Sequence, residues 1–391
     1  MRLVADSGLW RIGPRDTPLV ASPMLTAVLE VSGAVLSWTV DDPPGDASAQ
    51  ITFTDLARAD WLWRILGESG HVALAAALEA VAPVPDQPDG MELGGVDIVP
   101  GSIDPLRRLA MGHWLRRWWP ASRRDGIAGL NRALLDVEVA LLTDDAQGFF
   151  TDDTLDSDVA QLLAPHVTAL TTHVRSDDAR IVDLVRAGAG LADEVGLEDV
   201  GWPELQAALD DSSLITTIAS GRRDDYALAA GSDVGLGRQG AGASIFQGVA
   251  SIDWSAVPPG VFDAAENTVE WTVEVTGAAA SAVVRAAVIG PDPATGIAVR
   301  LRSPAVTSIG ALDADGRATL PLVDTQQRPL TEHAAWDHDW PTAAVIVGAQ
   351  ISNVAESRDT RDRVRGFARL RMDQPGDDAF LAEILASESG Y

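Results

Sequence analysis

In Thr268-Val269-Glu270-Trp271-Thr272-Val273-Glu274-Val275, apolar and polar side chains alternate without a break. Successive side chains of a strand point to opposite faces, so this octet spells a strand with one dry face and one wet face. Downstream, Ile297, Val299 and Leu301 alternate in the same way with Ala298, Arg300 and Arg302. Residues 309–323 read as a hairpin about Asp313-Ala314-Asp315-Gly316, and 343–347 as a buried strand. Short strands at these spacings predict a β-sandwich-like domain. Beyond it, Val354, Val364, Phe367 and Leu370 fit one amphipathic helix, and Phe380, Leu381, Ile384 and Leu385 fit another.

Upstream of the octet the period changes. Five glycines between Gly231 and Gly242 mark a linker, and from Leu56 to about Ala230 the pattern is helical. Helices are expected over 57–81, from Asp104 as N-cap with Pro105 behind it to Pro120, and over 130–142, 155–174, 177–195 and 203–209. A Pro-, Asp- and Gly-rich connection, 82–101, separates the first two. The first 55 residues read as β-structure, with a hairpin about Ser32-Gly33 and a short strand over 50–54. The expected fold is therefore α+β: an all-α central helical domain (56–230) flanked by β-structure. The flanks are an N-terminal β segment (1–55) and, after the Gly-rich linker (231–242), a C-terminal β-sandwich-like domain with terminal helices (243–391). Three strands alone bury little surface. Residues 1–55 are therefore expected to join the C-terminal sheet in preference to forming their own.

Composition excludes several chemistries. The chain has 391 residues, its 29 basic side chains are all arginine, and it has no cysteine. Walker A and protein-kinase sites, Schiff-base enzymes, thiol catalysis and cysteine-ligated zinc all need a residue that is missing. The absence of lysine has two readings: GC-rich coding bias, or removal of a modifiable amine in a protein that works beside a lysine-tagging system. A formal charge of −28 repels nucleic acid and anionic lipid over most of the surface, so nucleic-acid binding is disfavoured. The most apolar run, 72–82, is short and broken by Glu79, so no membrane span is expected. The N-terminus lacks a secretory layout, and a cytoplasmic protein is expected.

Several motifs compete for a functional reading. Gly235-Leu236-Gly237-Arg238-Gln239-Gly240 matches G-x-G-x-x-G, but a helix precedes it and a strand follows, the reverse of a dinucleotide-binding turn. Gly67-Glu68-Ser69-Gly70-His71 lacks the last glycine of a nucleophile elbow. Asp144, Asp145, Asp152, Asp153, Asp156 and Asp158 lack the register of a calcium loop. Arg358, Arg361, Arg363, Arg365, Arg369 and Arg371 are offset by Glu356, Asp359 and Asp362 and read as an exposed, ion-paired helix face.

Two constellations remain. Glu332-His333-Ala334-Ala335-Trp336-Asp337-His338-Asp339-Trp340 holds imidazoles and carboxylates that could ligate a divalent metal. Its histidines are five apart, which suits neither a helix face nor a strand face, so a polar loop pinned by Trp336 and Trp340 is the competing view. Arg107, Arg108, Trp114, Arg116, Arg117, Trp118, Trp119, Arg123 and Arg124 form a basic aromatic island in an acidic chain, with His113 among them. Arginine with tryptophan suits a protein interface or a phosphate. Equally, Leu106, Leu109, Trp114 and Trp118 could form a buried stripe while the arginines pair with carboxylates.

With no catalytic constellation and no cofactor expected, the sequence leans away from an enzyme. It points to a non-enzymatic cytoplasmic protein-interaction component, an adaptor or scaffold of a bacterial multi-protein system. Its partners would be other proteins encoded nearby, bound through the arginine-tryptophan island. The alternatives are a metal-dependent hydrolase using His333, Asp337, His338 and Asp339, and a structural subunit of a larger assembly. Oligomeric state stays open.

Overall fold

The computed structural model describes residues 1–6, 8–14, 22–42, 49–80, 90–150, 156–197, 201–216, 243–276, 279–349 and 356–389. The Gly-rich linker, the G-x-G-x-x-G string and Asp152 and Asp153 lie outside them. The fold is mixed α+β, with three antiparallel sheets and a strand-rich C-terminal region. The chain divides into two compact units. The first comprises Met1–Trp119, Leu130–Ile215 and Ser357–Tyr391, and the second Pro120–Gly129 and Thr216–Glu356.

The first unit opens with strands β1 (Arg2–Asp6), β2 (Leu9–Gly13), β3 (Thr26–Val31), β4 (Ala34–Thr39) and β5 (Gln50–Phe53). The helix α1 (Trp63–Ala80) follows, and then a short strand β6 (Met91–Glu92). These strands make one six-stranded sheet in the order β3-β4-β5-β2-β1-β6. The N-terminal strands therefore do not join the C-terminal sheet. The expectation failed because the hairpin of β1 and β2, not read from the sequence, pairs onto β5 and brings residues 1–55 to five strands, and β6, inside the stretch read as a connection, pairs with β1 to add a sixth. The dry face carries Leu3, Ile12, Leu36, Trp38 and Ile51, all buried.

Helices α2 (Asp104–Trp118), α3 (Arg132–Gln147), α4 (Asp156–Leu163), α5 (Val167–His173), α6 (Ala179–Glu194) and α7 (Trp202–Thr216) complete this part of the unit. Asp104 is the first helical residue of α2 and not its cap, while Asn131 caps α3 and Asp178, one residue later than expected, caps α6. The single helix expected over 155–174 is two, because Pro165 cannot donate the next helical bond and a 3-10 turn, Ala164–His166, intervenes. Helices α2 and α3 meet closely at Gly112, where a Cβ would come within 2.6 Å of a Val139 methyl.

The second unit contains β7 (Ala243–Ala250), β8 (Val269–Thr276), β9 (Ala279–Ala286), β10 (Ala298–Arg302), β11 (Val306–Ala311), β12 (Arg317–Pro321), β13 (Val323–Asp324), α8 (Glu332–Trp336) and β14 (Ala344–Val347). They form two four-stranded sheets, β12-β9-β8-β7 and β13-β11-β10-β14. Val269, Trp271, Val273 and Val275 are buried and Glu270 is exposed, as their alternation requires. The expected hairpin over 309–323 is instead a turn between sheets. Asp313 N–H donates to the Arg317 carbonyl, yet β11 pairs with β10 and β12 with β9. A turn signal fixes chain reversal but not which strand the returning segment joins.

Helices α9 (Arg358–Asp373) and α10 (Leu381–Glu388) belong to the first unit and not to the strand-rich one, where the sequence boundaries had put them. Arg365 and Arg371 are buried, so α9 is not a wholly exposed ion-paired face. The Arg371 guanidinium grips the fully buried Glu383 carboxylate with two bonds, of 2.6 and 2.8 Å. Glu383 in turn accepts from the Phe380 N–H at the start of α10.

Candidate functional site

The arginine-tryptophan island is only partly internal. Trp114 is core, 2% exposed, and its indole N–H donates to the Met24 carbonyl at 2.9 Å. Arg116 is tied to Asp136 at 2.6 Å, and Arg108 to Glu138 at 3.4 Å while lying over the Phe380 ring. Arg117 stacks on Trp118, 4.3 Å from its centroid, and Arg107, Trp118 and Trp119 are half-buried. Arg123 and Arg124 belong to the second unit. There both backbone N–H groups donate to Asp263, and the Arg124 side chain reaches the carbonyls of Glu266 and Asn267. Burial describes Trp114 and carboxylate pairing describes Arg108 and Arg116, while the other six are half-buried or exposed.

What the central helices assemble instead is a polar network under a cleft. Helix α3 is apolar around Asp136, which is 3% exposed. An isolated buried carboxylate would be costly. This one accepts from Arg116 and, at 2.8 Å, from His166, with Arg132 at 3.4 Å. Burial opposes its charge, but the His166 hydrogen bond and the Arg116 guanidinium hold its carboxyl below the usual carboxylate range. One turn before Arg116, His113 is pushed down to about 4, by burial first and by the Arg116 charge next. It is thus a neutral imidazole near pH 7.

His113 and Leu109 of α2 line a cavity of about 580 Å³ in the first unit. Its other walls are the β3 run from Val28 to Gly33, the segment with Thr54, Asp55 and Arg58, Thr143 and Phe150 of α3 and its end, and Asp158 of α4. Gly33 holds the turn beside this wall. With φ +72° its carbonyl accepts from the N–H groups of Thr54 and Asp55, and a Cβ there would come within 2.2 Å of the Asp55 carbonyl oxygen.

Strand β3 is an edge of its sheet. The pair flanking a two-residue turn exchanges hydrogen bonds, so Val31 with Ala34, Leu29 with Leu36 and Ala27 with Trp38 are the bonded pairs of the hairpin. The backbone N–H and C=O groups of Val28 and Glu30 consequently point away from β4. Among the described residues they take no partner. The side chains of Val28 and Glu30 are exposed, while Ala27 and Leu29 are buried.

A second, half-buried carboxylate of α3 faces the start of α10. Glu138 accepts from the Leu381 N–H at 2.6 Å, yet burial outweighs that bond and the Arg108 charge and pushes its carboxyl up to about 7. It joins the C-terminal helices to α3 and does not line the cleft.

The acidic histidine cluster does not converge. His333 pairs one turn along with Asp337, both well exposed, whereas His338 packs against Trp340 and meets the Ser303 hydroxyl. Among the described residues no group of three or more His, Asp or Glu side chains could hold a metal ion. The structure does not bring His333, Asp337, His338 and Asp339 together as one ligand set. Its spacing breaks it up, because α8 ends at Trp336 and turns His338 away. Trp340 is buried and pins the segment through its N–H to the Ala335 carbonyl, but Trp336 is 53% exposed and does not.

Sequence reasoning missed Asp136, Glu138, His166 and the β3 wall. A signal for the acids was present: Leu134-Leu135-Asp136-Val137-Glu138-Val139 places two carboxylates within an apolar helical run. Nothing in the sequence told which β3 edge would stay open. No helix among the described residues is long and apolar enough to cross a membrane. No protein-family model matches this chain, and neither does any curated protein or solved structure.

Proposed function

We propose that this protein is a non-enzymatic interaction component that binds a segment of a partner protein in the cleft beside β3. The observation that carries the reading is the outward backbone of Val28 and Glu30 along a cleft wall. A strand edge next to a groove is a recurrent way to hold an extended peptide, with main-chain bonds for affinity and alternate side chains for selectivity. The cleft hydroxyls of Ser32 and Thr143 donate to the carbonyls of Arg58 and Val139, which suits a binding wall better than an activated nucleophile. The half-buried Arg117, Trp118 and Trp119 are at most a secondary contact in this reading.

Panning a phage-displayed library of short random peptides on the full chain tests it. Glu30→Pro removes an outward N–H and no ladder bond, so the sheet tolerates it at an edge. Enriched peptides should lose most of their binding to this variant. Failure to enrich any peptide, or equal binding to Glu30→Pro, removes the proposal.

A further inference from the structure

The geometry and charge of the cleft point to a particular guest, and we propose that it is an extended, arginine- or lysine-bearing segment of a partner protein. It adds to β3 as a seventh strand of the sheet. This rests on the partner-binding reading above.

The backbone sets the form of the guest. Outward groups at Val28 and Glu30 recur every second residue, the spacing that an added strand about 4.8 Å away can match. Strand β3 (Thr26–Val31) is about 20 Å long and its last four residues, Val28 to Val31, line the cleft over about 13 Å, enough for a guest of roughly four to six residues. A helix presents no such ladder. Gly33 and the turn it closes end the wall on one side, so the guest's register is limited by Ser32 and not by sliding along a long flat strand.

Charge sets its chemistry. Three carboxylates, Glu30, Asp55 and Asp158, line the cleft against one guanidinium, Arg58, and His113 contributes no charge near pH 7. The Glu30 side chain projects from the exposed face of β3, where the residue opposite it on a neighbouring strand lies within pairing distance. A basic residue there is favoured and an acidic one is disfavoured. The formal charge of −28 works in the same direction at longer range, drawing cationic segments in and slowing acidic ones. Exposed Val28 and half-buried Phe150 leave apolar surface for the neighbouring residue of the guest.

The test uses synthetic peptides derived from the panned sequences, each in three forms: as selected, with every basic residue changed to glutamine, and with every basic residue changed to glutamate. Binding to the full chain is read by fluorescence anisotropy. The basic form is expected to bind best, the glutamine form to lose roughly tenfold, and affinity to fall as salt is raised. Charge reversal by Glu30→Arg with Asp158→Arg leaves the backbone edge intact. It should invert the order, so that the glutamate form binds best. Enrichment of acidic or neutral peptides that still lose binding to Glu30→Pro overturns the basic guest and leaves the partner-binding reading standing. Peptides insensitive to both variants, or no peptides at all, overturn both. Sedimentation that shows self-association abolished by Glu30→Pro assigns the edge to a second copy and also overturns the proposal.

Discussion

Replacing Glu138 by glutamine should stabilise the protein at about pH 8 and change it little at about pH 5. Burial lifts the Glu138 carboxyl from 4.5 to about 7 against the opposing Leu381 N–H bond and Arg108 charge. In the unfolded chain the group returns to its ordinary value. Between about 4.5 and 7 the folded protein therefore holds a proton that the unfolded chain has lost. The stability this supplies is complete below the ordinary value and disappears as pH rises through about 7. At about 1.4 kcal/mol per pH unit, the whole effect is roughly 3 kcal/mol. Glutamine keeps the size and an oxygen for the Leu381 N–H, but it never ionises. Urea unfolding followed by tryptophan fluorescence, run on both proteins across this range, reads the difference. Groups such as His113 and Glu356, which titrate in both proteins, cancel in the comparison. A gap that fails to widen in favour of the variant by at least about 1 kcal/mol between the two ends would refute the assignment of a half-buried, proton-holding carboxyl.

The neighbouring groups make further tests. His113 has its folded value depressed from 6.5 to about 4, so its contribution is lost as pH falls through that window, and His113→Asn should flatten the acid limb of the same urea profile. Asp136→Asn leaves Arg116 and His166 without their shared anion and should cost about 3 kcal/mol by urea unfolding near pH 7; a loss under about 1 kcal/mol would show the network to be dispensable. Arg371→Leu strands the fully buried Glu383 and should cost about 3 to 5 kcal/mol, measured in the same way. Two glycines should respond with opposite sign in thermal unfolding. Gly112→Ala forces a Cβ to 2.6 Å from Val139 and 2.9 Å from Phe380 and should destabilise by about 1 to 3 kcal/mol, while Gly366→Ala, on the exposed side of α9 with nothing within 4 Å, should stabilise by up to about 1 kcal/mol.

Period and punctuation made much of the fold legible. The alternation at Val269 to Val275 and at Val299 to Leu301 became β8 and β10, and the turn at Ser32-Gly33 became the β3–β4 hairpin. What could not be read was which element each piece would meet. Two residues at Met91–Glu92 carry no periodicity, yet pairing with β1 made them a strand. The same limit applies to the site. Arg108 and Arg116 looked available for a partner because sequence shows a cation but not its counter-ion, and Glu138 and Asp136 lie one helix away. The cleft was least visible of all, since an exposed strand edge depends on which neighbours are missing.

The return of α9 and α10 to the first unit bears on how the molecule is made. The ribosome releases α1 to α7 well before Phe380, Glu383 and Arg371, and all of the strand-rich unit except Pro120–Gly129 is synthesised in between. Until then Glu138 and the face of α3 lack the helix that covers them, so the earlier-born half waits unfinished while the later-born half can complete itself. A nick in the intervening residues would turn that closure into an encounter between two molecules, dependent on concentration and slower than the tethered event.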